Sequence, residues 1–218
     1  MFGNENPIFE LRGPWGVPIQ FGGSLMLLFL IFVPLSGSPE QMMIGAALAL
    51  MLIGSILLHE LGHAWGSLIQ GVRVKRIMIF GGGGFCERGA SATRYQDELI
   101  VAMGPIVNLV IWAIASLAVP YVDGLAGWML AWLAQINLFL ALFNLVPLMP
   151  LDGGKLFQLA LMRVLPPVTA TQICGWIGVV AAIAWIPAMI WVYFNLGFVL
   201  FFIPSLKLHW QMANARRG

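Results

Sequence analysis

Residues Ser55–Gln70 read SILLHELGHAWGSLIQ, two histidines and a glutamate inside a run apolar enough to span a bilayer. On a helix, positions four apart share a face, so His59 and His63 can both reach one ion about 2 Å from each nitrogen. Glu60, one residue on, projects to the side, where it can hold a water bound to that ion. This is the H-E-x-x-H arrangement of zinc hydrolases. The chain has 3 histidines in all. The third, His209, sits beside Trp210 in the tail and reads as an interfacial surface residue.

The composition around this stretch is that of a membrane protein. Hydrophobic residues make up 60% of the 218 and charged residues 9%, against roughly 25% charged in a soluble domain. The net charge of +2 offers no nucleic-acid footprint. Cys86 and Cys174 are too few and too far apart for a disulfide framework or a thiolate metal site, and read as two unpaired thiols. The first twenty residues are polar, Gly/Pro-rich and poor in basic residues, unlike a cleavable signal peptide.

The predicted fold is an all-α polytopic membrane protein with about six transmembrane helices and a small β-hairpin or re-entrant sheet between helices 2 and 3. The spans fall near 21–35, 43–70, 97–119, 126–147, 168–186 and 188–205, the last two divided at Ile186-Pro187. One membrane-embedded domain, 1–218, is expected, with a catalytic core over about 20–165 and C-terminal helices over about 168–205. With these spans all 11 basic residues fall on one side, and the opposite loops hold only Glu40 and Asp123. The positive-inside rule makes the basic side cytoplasmic and places both termini there.

The 72–96 connection carries the strand formers Val72, Val74, Ile77, Ile79 and Phe80, then Gly81–Gly84 and a polar return through Glu87 to Arg94. The four glycines either let backbone approach a neighbour closely or make a loose turn. In the spans, Gly45, Ala49 and Gly54 suggest helix packing. Gln135, Asn137 and Asn144 suggest polar contacts between helices, and Asn137 and Asn144, seven apart, face one way.

Glu60 and Asp152 are the ionisable groups that interrupt the apolar runs. An acid at membrane depth is costly unless paired or ligating, so each is a functional candidate. A catalytic zinc needs a third protein ligand and an open position. Asp152 is the candidate: the second and fourth spans run the same way, and Asp152 lies just past the end of the fourth. His63 is roughly ten Å from the same end of the second, at 1.5 Å per residue. The break Pro147-Leu-Met-Pro150 ends regular helix and can fold the carboxylate back toward the core.

Three motifs together resemble the site-2 protease family of intramembrane zinc metalloproteases: His59-Glu-Leu-Gly-His63, Gly104-Pro-Ile-Val-Asn108, and Asn144-Leu-Val-Pro-Leu-Met-Pro-Leu-Asp152-Gly-Gly. The resemblance covers about residues 20–165. It implies one Zn2+ per chain on His59, His63 and Asp152, Glu60 as catalytic base, and Asn144 as a catalytic residue holding substrate or transition state. Asn108 matches the family's asparagine near the active-site helices; bracing the kink at Pro105 is the alternative. The implied partners are a transmembrane protein substrate and the lipid bilayer, with no nucleic acid. The PDZ-sized and nucleotide-sensing domains of some relatives are not expected, which makes this a compact member.

Two other readings compete. A divalent-metal transporter would also place ligands in a helical bundle, but should offer further polar ligands on both sides of the membrane. A non-catalytic metal-binding scaffold would need a fourth protein ligand, and no further His or Cys is well placed. Serine and aspartyl chemistry find no G-x-S-G motif and no second acid opposite Asp152.

Overall fold

The computed structural model describes residues 5–196 and 202–216. The chain forms two compact units, Met1–Leu142 and Phe143–Gly218.

The first unit begins with strands β1 (Pro7–Arg12) and β2 (Pro18–Gly22), followed by a short helix α1 (Leu25–Phe32) and a long helix α2 (Pro39–Ile69). Strands β3 (Val74–Phe80) and β4 (Gly83–Arg88) come next, then helices α3 (Arg94–Ala118) and α4 (Gly124–Asn144), whose last two residues fall in the second unit.

The predicted hairpin is present as β3–β4, but it is half of a four-stranded sheet of order β1-β2-β3-β4. β2 pairs parallel with β3, Ile19 opposite Ile77 and Phe21 opposite Ile79, while the other two pairs are antiparallel. A register shift between Val74 and Arg76 changes the alternation. Val74, Ile77 and Ile79 thereby join Val17, Ile19 and Ala64 of α2 in one core cluster. On the other face, polar side chains tie all four strands together. Gln20 donates to Glu10, Arg76 donates to both Gln20 and Glu87, and Lys75 donates to Glu87.

Four helices among the described residues are long and apolar enough to cross a membrane: α2, α3 with its terminal turn to Tyr121, α4, and Pro167–Asn195. The expected first span over 21–35 is not one of them. Residues 18–22 are taken up as strand β2, Ser24 is held through its N–H and hydroxyl by the Glu5 carboxylate, and helix starts only at Leu25. Eight residues rise about 12 Å, well short of a hydrocarbon core of roughly 30 Å. α2, by contrast, is 31 residues. It opens on a capping box in which Gln41 N–H donates to Ser38 Oγ and Ser38 N–H to Gln41 Oε1.

Glycines set the helix spacing. Gly45 lies against the Phe32 carbonyl at the end of α1. Gly54, expected to serve packing, faces open space with nothing within 4 Å of a built Cβ. The tight contact is at Gly62 and Gly66, neither singled out from the sequence. A Cβ on Gly62 would fall 2.7 Å from the Met103 carbonyl oxygen, and one on Gly66 3.2 Å from Ile100 Cα. This small-xxx-small pair lets the α3 backbone lie directly on α2 at the level of the histidines.

The second unit holds α5 (Asp152–Leu161), α6 (Pro167–Leu196) and α7 (Leu206–Ala213). The expected division at Ile186-Pro187 is absent: α6 runs through Pro187 without a break. Proline is tolerated inside membrane helices where neighbours satisfy the freed carbonyl. Residues 197–201 of the expected sixth span lie outside the described residues. Beyond them the chain turns back along α6. The Phe202 ring meets Trp185 at 5.5 Å, His209 lies on Gly178, Ala213 lies on Gly175, and Gln172 donates to the Ala215 carbonyl. His209 is therefore 0% exposed rather than a surface residue. The missing side chain of Gly178 leaves the slot its ring fills.

Candidate metal centre

His59, Glu60 and His63 lie on α2 and are all buried. The two Nε2 atoms face each other 3.1 Å apart, and the rings meet edge to face at 4.7 Å between centroids. The other ring nitrogens have acceptors. His63 Nδ1–H donates to the Ile100 carbonyl at 2.8 Å, and His59 Nδ1–H donates to Asn108 Oδ1 at 2.6 Å. A carbonyl oxygen can only accept, so His63 carries its proton on Nδ1 and offers the Nε2 lone pair. His59 is held in the same tautomer, as the contacts of Asn108 show: Asn108 Nδ2 donates to Asn137 Oδ1 at 2.8 Å and lies 3.4 Å from the Ser55 carbonyl, which turns Oδ1 toward the histidine.

The two Nε2 atoms, 3.1 Å apart, converge on one point. Two nitrogens bound to one ion at about 2.0–2.1 Å must lie within about 4 Å of each other. The donor set therefore fits a zinc-type divalent ion.

The sheet and α3 close around these groups by shedding side chains. Gly104 of α3 faces both rings: its Cβ would fall 2.6 Å from His59 Nε2 and closer still to His63 Nε2. Asn108 follows one turn later on the same face, which accounts for the Gly104-x-x-x-Asn108 spacing. Asn108 thus holds the His59 imidazole through its Nδ1. On the sheet side a Cβ at Gly84 of β4 would fall 2.7 Å from Glu60 Cγ. Gly81 N–H donates to Ser24 Oγ at 2.8 Å. The glycine run is thus a site of close approach, not a loose turn. Arg88 pairs with Asp97, fixing β4 to α3, and Gln96 donates to the Gln70 carbonyl, fixing α3 to the end of α2.

Cys86, also on β4, stays a thiol. Burial pushes it up to about 12, the Glu60 carboxylate adds to the rise, and the Arg88 guanidinium opposes it. Glu87, on the polar face, has its carboxyl held below the usual range by hydrogen bonds from Arg76 and Lys75.

In the second unit, α4 ends at Asn144 and α5 starts at Asp152, with Leu145–Leu151 irregular between them. Gly153 packs on the backbone of Leu145, and a Cβ on Gly154 would fall 2.6 Å from the Leu148 carbonyl carbon. After the proline-rich break the backbone therefore turns back on itself. The Asp152-Gly-Gly sequence lets the first turn of α5 sit directly on the loop that precedes it.

A family profile described as peptidase family M50 matches residues 47–127 and 122–185. A putative zinc metalloprotease of Synechocystis is 39% identical over 132 residues, 58% of this chain and 34% of its own length. A zinc metalloprotease of Methanocaldococcus jannaschii is 28% identical over 165 residues, 75% of this chain and 48% of its own length. The chain thus spans about a third to a half of the length of these curated relatives. Among solved structures, the site-2 protease from Methanocaldococcus jannaschii superposes with a TM-score of 0.68 at 25% identity, covering 96% of this chain and 97% of that one.

Proposed function

The chain belongs to peptidase family M50, and from that premise we propose that it is an intramembrane zinc metalloprotease hydrolysing a peptide bond in or near a transmembrane segment of a membrane-protein substrate. The observation that carries this reading is the pair of buried imidazoles whose Nδ1 atoms are both hydrogen-bonded and whose Nε2 atoms converge 3.1 Å apart. Buried beside them in sequence is Glu60, a carboxylate able to move a proton.

In this reading His59, His63 and Asp152 would hold one zinc ion per chain. Support for Asp152 comes from its place as the first residue of α5 after the proline-rich break. When bound, zinc supplies Lewis acidity, lowering the pKa of a water to about 7 and polarising the scissile carbonyl. Glu60 takes the proton of the attacking water on a carboxylate oxygen and delivers it to the leaving amine nitrogen. The Asn144 side-chain N–H donates to the oxygen that gains charge.

A transmembrane substrate must unwind before its carbonyl can be attacked, and a strand edge can take up the freed hydrogen bonds. β4 is an edge of the sheet and touches Glu60 through Gly84. The substrate adds as a strand along this edge.

The whole of 1–218 acts as one membrane-embedded domain in the cytoplasmic membrane, with both termini on the cytoplasmic side. Supporting this, the α6–α7 hairpin carries the tail back to the end of α6 that follows Lys155 and Arg163.

The test is cleavage of a panel of single-span peptides by the purified protein in liposomes. Wild type is expected to cut at least one of them. Glu60→Gln, with zinc retained, should lose on the order of 10²–10⁴-fold in rate. A Glu60→Gln variant cutting at the wild-type rate would remove Glu60 from the chemistry.

A further inference from the structure

A chain of buried amides crosses three helices behind His59, and its polarity can be read from one end to the other. At the far end, on α4, Asn137 Nδ2 lies 2.9 Å from the Leu133 carbonyl, an atom that can only accept. The same nitrogen donates to Ser55 Oγ of α2 at 2.9 Å. The Asn137 amide therefore has one orientation, with Oδ1 turned toward Asn108. Asn108 must answer with its Nδ2, at 2.8 Å, and the backbone carbonyl of Ser55 receives the same group. That leaves Asn108 Oδ1 facing His59, which must donate from Nδ1. Each step is forced by the one before it. Asn108 and Asn137 are 0% exposed and Ser55 2%, so bulk solvent does not reach these groups.

We propose that Asn137 is a positioning residue for zinc: through Asn108 it fixes the His59 tautomer in which Nε2 is the ligand, although Asn137 touches neither the histidine nor the ion site. With Asn137 removed, the Asn108 amide can turn over and present Nδ2 to the imidazole. His59 then keeps its proton on Nε2 and loses its ligand lone pair. Ser55, one turn before His59 on α2, holds Asn137 in the same arrangement. The inference rests on the zinc reading of the site given above.

The experiment compares wild type, Asn137→Leu and Asn137→Asp for zinc affinity by chelator competition and for the visible spectrum of the cobalt-substituted protein. Folding is checked by thermal unfolding of the metal-free forms. Leucine is close in volume but breaks the relay. Aspartate keeps an oxygen that accepts from Asn108 Nδ2, so the relay persists, while burying an acid costs stability. The relay predicts zinc binding about 10–100-fold weaker in Asn137→Leu and within a few-fold of wild type in Asn137→Asp, with an altered cobalt spectrum only in the leucine variant. A merely structural role predicts the reverse order, with aspartate the more damaging. That order, or unchanged affinity in Asn137→Leu, overturns the proposal. No zinc bound by well-folded wild type would instead overturn the metal reading itself, and the relay with it.

Discussion

His59 Nδ1 lies 2.6 Å from Asn108 Oδ1, and that hydrogen bond decides which nitrogen of the imidazole is offered to a metal. Asn108→Leu should weaken zinc binding about 10–100-fold, the usual cost of losing a partner behind a histidine ligand. Asn108→Asp keeps the acceptor and should bind zinc more tightly than the leucine variant. Chelator competition on the two proteins checks the order.

Gly104 is the narrowest point between α3 and the histidines. Gly104→Ala leaves the helix intact, since alanine is the better helix former by about 1 kcal/mol, but drives a methyl group toward both Nε2 atoms. The expected result is a folded protein with little bound zinc. Gly54→Ala is the control: nothing lies within 4 Å of its Cβ, so zinc content should match wild type and thermal stability should hold or rise slightly. Metal analysis and circular dichroism separate the two.

Gly84 brings β4 against Glu60. In Gly84→Ala the new Cβ would fall 2.7 Å from Glu60 Cγ, so strand or carboxylate must move. Zinc content should stay near wild type while the rate of peptide cleavage drops about 10-fold or more, because a small displacement of a proton-transfer group is costly. Equal loss of zinc and rate would show that the glycine serves the metal instead.

Cys86 should be slow to alkylate. With its thiol pushed up to about 12, the reactive thiolate is scarce at pH 8. In a Cys174→Ala background, maleimide labelling at pH 8 should lag far behind a free thiol. Glu60→Gln should quicken it modestly, because the carboxylate is a secondary cause after burial. Fast labelling of the folded wild type would contradict the raised thiol of Cys86.

Glu87 carries a pH signature of its own. Its carboxyl is lowered in the folded chain by Arg76 and Lys75, so its contribution to stability is present above the unfolded-state value and is lost as pH falls through the folded one. Glu87→Gln should melt slightly below wild type at neutral pH, and the two melting curves should converge in acid.

The site was more legible in the sequence than the fold around it. His59, Glu60 and His63 declare themselves because ionisable groups are rare in apolar spans and the spacing matches one helical face. The break between α4 and α5 was legible from its prolines and glycines. β1 and β2 were not: Pro7–Gly22 is short, interrupted by Gly13-Pro14, and becomes sheet only because β3 is there to pair with. Pro187 misled for the opposite reason, since a membrane helix can carry a proline that would end one in water. Asn137 read as generic polar contact between helices, because a single sequence does not show which neighbour a buried amide meets. Its part in the His59 network appears only once α2, α3 and α4 are packed together.

The measurement that tests the central claim most directly is zinc per chain in purified wild type and in Asp152→Ala. The account predicts about one zinc in the wild type, as a single catalytic site requires, and a sharp loss in the variant. Little zinc in a well-folded wild type would contradict the metalloprotease reading, and full zinc in the variant would contradict Asp152 as the third ligand.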